Sequence, residues 1–324
     1  MAQLISIDRA RQSAIAEASA LLGDGMLVAI PTETVYGLAA DATNPQAITR
    51  IYETKGRPRF NPLICHMADL EMAERHAAFD PLSRKLADLF WPGPLTLILP
   101  LKAESDIHAL ATAGLDTVGI RVPRGFAGEL IRAFGKPLAA PSANTSGRIS
   151  ATSAAHVETD LGGLIPLIID GGACAVGVES TILKIEDGRI KLLRPGGIPA
   201  EAIERATGLT VERPTEPGVI EAPGMLASHY APSASVRLNV STVRPGEALI
   251  LFGGVRIAGM ETAGLTLDLS PAGDLGEAAT NLFGFMKQAD ASGAESIAFS
   301  PVPVHGLGEA INDRLSRAAA PRDR

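Results

Sequence analysis

Three cations stand within five residues of one another in the segment KGRPRFNPLICH: Lys55, Arg57 and Arg59. Arginine offers a planar fork and lysine a point charge, and both suit phosphate oxygens. Two prolines stiffen the segment, Asn61 adds a neutral donor, and His66 ends the apolar run that follows. The pattern predicts a loop that binds an anion, although a solvated run of charges would have the same composition.

Polar side chains also accompany two further apolar runs. Residues 32–34 of PTETVYGLAAD, Thr-Glu-Thr, directly follow the run MLVAIP. They therefore stand at the carboxyl edge of a predicted strand, where α/β proteins commonly bind ligands, but a helix-capping turn would explain them as well. Arg121 lies inside the apolar run TVGIRVP. A charge there is costly unless it is paired, so it faces either a carboxylate ligand or an internal acid.

A loop rich in hydroxyls and amides, APSANTSGRIS, carries Ser142 and Ser150. Such loops donate to phosphate or ribose, and an ordinary Ser/Thr turn is the alternative. Ser180 opens the run STILKI, Arg194 ends the run IKLLR, and Tyr230 lies in SHYAP, either as a surface residue or as a lid over a base. Together these clusters predict a pocket for an anionic nucleotide and a small ligand that carries a carboxylate.

Other classes of protein are disfavoured by what the chain lacks. It has no GxxxxGK[ST], GxGxxG, HExxH or GxSxG motif, and its six histidines are scattered, so we expect no metal held by side chains. A net charge of −7 disfavours strong general binding of nucleic acid. Two cysteines cannot form a disulfide framework, and the absence of a long apolar run predicts a cytoplasmic protein without a membrane span.

Helical and strand-like segments mix without strict alternation, which predicts an α/β sheet that is partly antiparallel. We expect a domain over 1–209, a linker over 210–235 that is rich in Pro and Gly, and a small α/β domain over 236–324. The aliphatic composition, with few aromatics, predicts cores of Ala, Leu, Ile and Val. Predicted helices cover 8–22, 44–56, 70–77, 81–90 and 127–135, and predicted strands cover 26–32, 62–67, 94–101, 117–123 and 137–144, with three more between 164 and 196.

The motifs PTETVYGLAAD, KGRPRFNPL, GIRVP, APSANTSG, ESTI and LRPG, in this order, closely resemble the YrdC-like domain of L-threonylcarbamoyladenylate synthases. SHYAP and the ending GLGEAINDRL resemble the longer, two-domain form of that family. The resemblance implies a twisted, mixed, open sheet with flanking helices, followed by a Rossmann-like C-terminal domain. One small departure is Ala39, where the family often has Gly.

The activity implied by this resemblance joins L-threonine, bicarbonate and ATP into threonylcarbamoyl-AMP and pyrophosphate, with Mg²⁺ accompanying ATP. A partner transfer complex then passes the threonylcarbamoyl group to the adenosine beside the anticodon of tRNAs that read ANN codons. The resemblance implies a threonine site of Thr34, His66, Arg121, Ala140 and Ser180. It implies an ATP site of Arg57, Asn61, Thr117, Ser142, Ser150, Arg194 and Tyr230. Lys55 is an added candidate for phosphate contact, and Lys55 and Arg57 are the predicted catalytic cations.

Three competing functions remain in view. A carbamoyl-transfer protein of hydrogenase maturation would carry CxxC pairs, which this chain lacks. An RNA-binding module would use the cations between Lys55 and Arg59, against the unfavourable net charge. A regulatory protein that binds nucleotide without catalysis is the third.

Overall fold

The computed structural model describes residues 2–213, 221–223 and 229–321. Within them the larger sheet has eleven strands. They are β1 (Gln3–Ser6), β2 (Val28–Ile30), β3 (Gly37–Asp41), β4 (Ile64–His66), β5 (Leu95–Pro100), β6 (Thr117–Arg121), β7 (Leu138–Ala139), β8 (Leu167–Asp170), β9 (Thr181–Glu186), β10 (Arg189–Arg194) and β11 (Val211–Glu212). Their order is β1-β8-β2-β3-β7-β4-β6-β5-β9-β10-β11, with parallel and antiparallel pairs interleaved. The predicted mixed sheet is therefore confirmed.

Seven helices accompany this sheet in the described part of the chain. They are α1 (Ile7–Gly23), α2 (Pro45–Lys55), α3 (Leu70–His76), α4 (Pro81–Phe90), α5 (Phe126–Phe134), α6 (Ala154–Leu161) and α7 (Ala200–Thr207). The start of α2 shows why the sequence predicted it. The Asn44 side chain accepts from the backbone N–H groups of Gln46 and Ala47, and Pro45 occupies the first turn. Gly56 ends the helix at φ 60°, a left-handed conformation that glycine adopts at little cost.

The core of the first unit is largely aliphatic, as the composition predicted. Leu38, Ile51, Ile120 and Leu167 are fully buried members of one continuous cluster on the sheet. No helix among the described residues is both long enough and apolar enough to span a bilayer.

The second unit is built on four parallel strands within the described residues. They are β12 (Ser235–Arg237), β13 (Ala248–Leu251), β14 (Leu265–Asp268) and β15 (Ser296–Phe299), in the order β12-β15-β13-β14. Helices α8 (Leu275–Ala291) and α9 (Leu307–Ala319) cover it, and Phe283, Phe299 and Ile311 are fully or almost fully buried in its core. An all-parallel sheet agrees with the expected Rossmann-like arrangement.

The connection between the units is only partly described. Strand β11 pairs in parallel with β10 and so belongs to the larger sheet, whereas β12 begins the second sheet at Ser235. Much of the predicted linker, residues 214–220 and 224–228, lies outside the described residues. The division at 209 and 235 therefore stays a prediction.

Candidate active site

A small cavity of about 50 Å³ lies where the loops of the larger sheet meet the segment that joins the two units. Strands β4 and β6 run parallel, with His66 beside Arg121 at their carboxyl ends. The loop after β7, the start of β9 and the end of β10 close the remaining sides. Nine of the predicted site residues line this one cavity: Thr34, Arg57, His66, Arg121, Ala140, Ser142, Ser180, Arg194 and Tyr230.

The Thr-Glu-Thr segment approaches the cavity from a loop. Strand β3, and not a helix, follows it, so the capping-turn alternative is wrong. The Thr32 hydroxyl donates to the backbone oxygen of Val35 at 2.6 Å and lies 2.9 Å from the Thr34 hydroxyl. These bonds fix Thr34 at the cavity wall.

Arg121 pairs with an internal acid, one of the two partners that the sequence left open, and it also lines the cavity. It is 4% exposed, and its Nη2 lies 2.8 Å from Glu33 Oε1 in an ion pair. Its Nη1 donates to the Thr34 hydroxyl at 2.9 Å, and its Nε donates to the backbone oxygen of Gly93 at 3.3 Å. The internal acid orients the guanidinium, and the same guanidinium lines the cavity, where it can receive a carboxylate.

His66 offers the cavity a neutral imidazole. Burial, together with the nearby charge of Arg121, lowers its pKa to about 3. Its Nδ1 is buried and has no hydrogen-bond partner among the described residues. A buried polar atom without a partner is rare in folded proteins, so this nitrogen is suited to a polar ligand.

Arg57 and Arg194 form the cationic side of the cavity. Arg57 donates to the backbone oxygens of Asn61 at 3.2 Å and Pro62 at 2.8 Å, and Arg194 donates to the Ser180 backbone oxygen at 2.9 Å. Burial lowers the pKa of Arg57 to about 10, which still leaves it charged at neutral pH. Neither arginine forms an ion pair within the described residues. Two buried positive charges held only by neutral groups are what an anion such as a phosphate would complete.

The cationic run of residues 55–59 is not a solvated charge run. Lys55 is 2% exposed and Arg57 is 8% exposed, and only Arg59 is on the surface. The prolines and the flanking strand fold the run inward. It therefore does not present the basic patch that the RNA-binding alternative required.

Lys55 lies behind the loop of residues 142–146 and does not line the cavity. Its ammonium donates to the backbone oxygen of Ser142 at 2.5 Å and to that of Asn144, and its own backbone oxygen accepts from Ser146 N. Burial, and to a smaller extent Arg57, lowers the pKa of Lys55 well below its ordinary value. The structure thus gives Lys55 a place as a brace for the loop, and its predicted catalytic contact stays a prediction.

Three further predicted ATP residues do not line the cavity. Both side-chain polar atoms of Asn61 are buried without a hydrogen-bond partner in the described residues, so its amide remains available to a ligand. The Ser150 hydroxyl donates to Glu179 Oε1 at 2.6 Å. Thr117 begins β6, at the opposite end of that strand from Arg121. Contact of these three with a nucleotide stays a prediction.

Tyr230 covers the cavity and is not a surface residue. It is 1% exposed, at φ 61°, and its ring stacks on Phe283 of α8 with 5.5 Å between centroids. His229 packs edge-on against it at 4.1 Å, and Ala231 N donates to the backbone oxygen of Gly147 at 2.8 Å. Of the SHYAP motif, Ser228 lies outside the described residues.

Sequence analysis missed three residues that the structure brings to the site. Glu179 and His229 line the cavity, and Arg314 of α9 donates to Glu179 Oε2 at 2.9 Å. Glu179 lies in the motif ESTI and His229 in the motif SHYAP, directly beside the predicted site residues Ser180 and Tyr230. Arg314 lies 135 residues from Glu179, so no local pattern could have joined them.

Comparison with known proteins agrees with this arrangement. A family model described as Telomere recombination matches residues 20–196, and one described as Threonylcarbamoyl-AMP synthase, C-terminal domain, matches residues 198–320. The chain is 42% identical to the threonylcarbamoyl-AMP synthase of Bacillus subtilis (strain 168), over 95% of this chain and 93% of the relative. It is 41% identical to the enzyme of the same name from Pyrococcus abyssi, over 97% and 96%.

A solved structure gives the same result for the fold. The crystal structure of P. abyssi Sua5 complexed with L-threonine superposes with a TM-score of 0.86 at 38% identity, over 98% of this chain and 97% of that one. Both halves of the molecule, and not the larger sheet alone, therefore have counterparts in these proteins. The chain belongs to the threonylcarbamoyl-AMP synthase family, in its two-domain form.

Proposed function

We propose that this protein is a threonylcarbamoyl-AMP synthase that forms threonylcarbamoyl-AMP and pyrophosphate from L-threonine, bicarbonate and ATP. One observation carries the proposal: a single cavity joins an oriented arginine fork, Arg121, to two buried arginines that are hydrogen-bonded only to neutral groups, Arg57 and Arg194. Arg121 suits the carboxylate of an amino acid, and the pair Arg57 and Arg194 suits phosphates. The family and its threonine-bound member support the same assignment.

The threonine half would centre on Arg121. Its guanidinium receives the carboxylate, while the Thr34 and Ser180 hydroxyls and the neutral His66 imidazole are placed for the amino and hydroxyl groups. The backbone at Ala140, which also lines the cavity, completes this side. Neutrality of His66 matters, because a second positive charge would repel the α-ammonium group of threonine.

The nucleotide half would use Arg57, Arg194 and Ser142 on the cavity wall, with Tyr230 above them. Mg²⁺ enters as part of the substrate, bound to the phosphates of ATP. The two acids at the site, Glu33 and Glu179, are each paired with an arginine.

The reaction needs positioning and charge more than a protein nucleophile. The ammonium group of threonine first loses a proton. The free amine then adds to CO₂ with release of a second proton, or to bicarbonate with release of water, and gives a carbamate. A carbamate oxygen attacks the α-phosphorus in line, and pyrophosphate leaves with the bonding electrons. Buried cations stabilise the charge that develops on the phosphate oxygens, and fixed ligands hold the two reactants together. No covalent enzyme intermediate is required.

The segment at Tyr230 would act as a lid. A carbamate and a mixed anhydride are both hydrolysed by water, so the site must close during the reaction. In this structure the cavity measures about 50 Å³, space for only a few water molecules. ATP needs more room than this, and movement of the lid at residues 229–231 would supply it. The product would pass to a tRNA threonylcarbamoyl-transferase complex.

The test is pyrophosphate release from ATP by the purified protein, with threonine, bicarbonate and Mg²⁺ omitted in turn, and mass spectrometry of the nucleotide product. Release that requires all three, with the mass of threonylcarbamoyl-AMP, is the expected result. Release without threonine would make the protein a nucleotide hydrolase. Binding of ATP and threonine with no release, even when tRNA and the transfer complex are added, would favour a regulatory protein.

A further inference from the structure

Arg314 is fully buried, although it belongs to the last helix of the second unit, α9. Burial removes the water that hydrates a guanidinium, so its partners in the protein must compensate for the lost hydration energy. Those partners lie mainly outside its own unit. Nε donates to Glu179 Oε2 at 2.9 Å, and Nη1 donates to the backbone oxygen of Pro195 at 2.8 Å. The remaining ion pair is local, with Asp313 at 2.8 Å.

Each of these contacts leads to a residue that is predicted to bind the nucleotide. Glu179 holds the Ser150 hydroxyl at 2.6 Å through its other carboxylate oxygen. Pro195 directly follows Arg194 in the chain. The guanidinium also lies over the Tyr230 ring, 5.2 Å from its centroid, at a distance where a cation attracts an aromatic face. One side chain of the second unit therefore contacts the acid that holds Ser150, the residue that follows Arg194, and the Tyr230 ring.

The charge at this junction is balanced by Arg314. Burial alone would raise the pKa of Glu179, but the charges of Arg314 and Arg194 and the Ser150 hydroxyl outweigh it, and the pKa is lowered. Glu179 thus stays ionised in the wall of the cavity. An ionised Glu179 can hold the Arg314 guanidinium through one carboxylate oxygen and the Ser150 hydroxyl through the other.

We infer that Arg314 is a positioning residue for the nucleotide half of the active site, so that the second unit takes part in ATP binding. It acts through Glu179, the backbone at Pro195 and the Tyr230 ring, and it does not line the cavity itself. The threonine half has separate supports, because Arg121 is held by Glu33 and Thr34. This assignment rests on the proposed function for the identity of the ligand.

The test compares Arg314→Lys, Arg314→Met and Glu179→Gln with the unaltered protein. Binding of a non-hydrolysable ATP analogue and of threonine is measured by calorimetry, together with KM for ATP, kcat and the melting temperature. Lysine keeps the charge but loses the fork, and Glu179→Gln removes the same ion pair from the other side. Lys287→Met is the matched control, because it breaks another partly buried ion pair between the units, with Asp160 at 3.0 Å, away from this cavity.

We expect the Arg314 and Glu179 variants to bind the ATP analogue about tenfold or more weakly, the effect of losing a charge-assisted bond, while threonine binds as before. The control should keep both affinities. If Arg314→Met does not fold, the other two variants decide. Unchanged binding of the analogue in these variants, or equal loss of threonine affinity, would overturn the inference. Failure of the unaltered protein to make threonylcarbamoyl-AMP would instead refute the proposed function, and the binding data would still judge Arg314.

Discussion

Replacement of Arg121 by lysine should separate threonine recognition from folding. The arginine makes three contacts with three different nitrogens: Glu33 at 2.8 Å, Thr34 at 2.9 Å and the Gly93 backbone at 3.3 Å. A lysine brings one ammonium to the same place. It can remain paired with Glu33, so no acid is left buried without a countercharge. It cannot hold the other two partners and also present a fork to a bound carboxylate.

The magnitude follows from the bonds that are lost. A hydrogen bond to a charged group contributes about 1.5–3 kcal/mol, so loss of one bond to the threonine carboxylate raises Kd roughly tenfold to more than a hundredfold. The folded state also loses the bonds that the charged guanidinium donates to Thr34 and Gly93, about 1.5–3 kcal/mol each at most. Stability should therefore fall as well, so the melting temperature is measured beside the threonine affinity.

Calorimetric titration of threonine into the Arg121→Lys protein measures this directly, and titration of an ATP analogue should give the affinity of the unaltered protein. Arg124→Lys is the control, because Arg124 lies nearby, is exposed, and donates to the Pro92 backbone at 2.7 Å. Threonine binding of ordinary strength by Arg121→Lys would refute the assignment of the carboxylate site. Equal losses in the two variants would show that the effect is not specific to the fork.

Three further predictions concern the same site. Burial holds the pKa of His66 and of His229 at about 3, below the ordinary 6.5. Above pH 6.5 both imidazoles are neutral in the folded and in the unfolded chain, so the full stability of the folded state is present there. Stability should then fall as the pH drops from 6.5, by up to about 1.4 kcal/mol per pH unit for each histidine, with a shallower slope in His66→Asn when melting is followed between pH 7 and 5. Lys55→Met leaves the Ser142 and Asn144 carbonyls without their donor, so urea denaturation should show a loss of about 1–3 kcal/mol; full stability with abolished turnover would instead make Lys55 a catalytic residue. Tyr230→Ala should weaken ATP binding or raise the ratio of free AMP to threonylcarbamoyl-AMP, and unchanged kinetics would exclude a lid at this residue.

Local chemistry made much of the first unit predictable. Asn44 with Pro45, and Asp80 with Pro81, are capping pairs that can be read directly from the chain, and helices α2 and α4 begin at them. The strand at residues 3–6 was not predicted. It is short, and its pairing is with β8, about 160 residues further along the chain, for which the sequence carries no local signal. Helices α6 and α7 were missed because each has only eight residues, too few for the spacing of their apolar residues to establish a helical period.

The residues of the candidate site also divide into those that the sequence indicates and those that it does not. Thr34 and His66 could be predicted because each follows or ends an apolar run, and Arg121 because its charge interrupts one. The sheet then brings His66 and Arg121 side by side. The inward turn of Lys55 could not, since a buried lysine and a solvated one have the same local sequence. The contact of Arg314 with Glu179 depends on how two separately folded sheets are placed, and that placement is decided by packing over the whole interface.

The small volume of the cavity bears on the proposed lid at Tyr230. A pocket for a drug-sized ligand usually measures about 300–1,000 Å³, whereas this cavity measures about 50 Å³, so ATP needs more room than the cavity offers here. The stacking of Tyr230 on Phe283 and the bond from Ala231 to Gly147 would hold the proposed lid over the site. The same contacts would hold water out once the ligand is inside. A lid of this kind must be stable enough to protect a carbamate and weak enough to open, and the second unit supplies both the ring that it rests on and the arginine beside it.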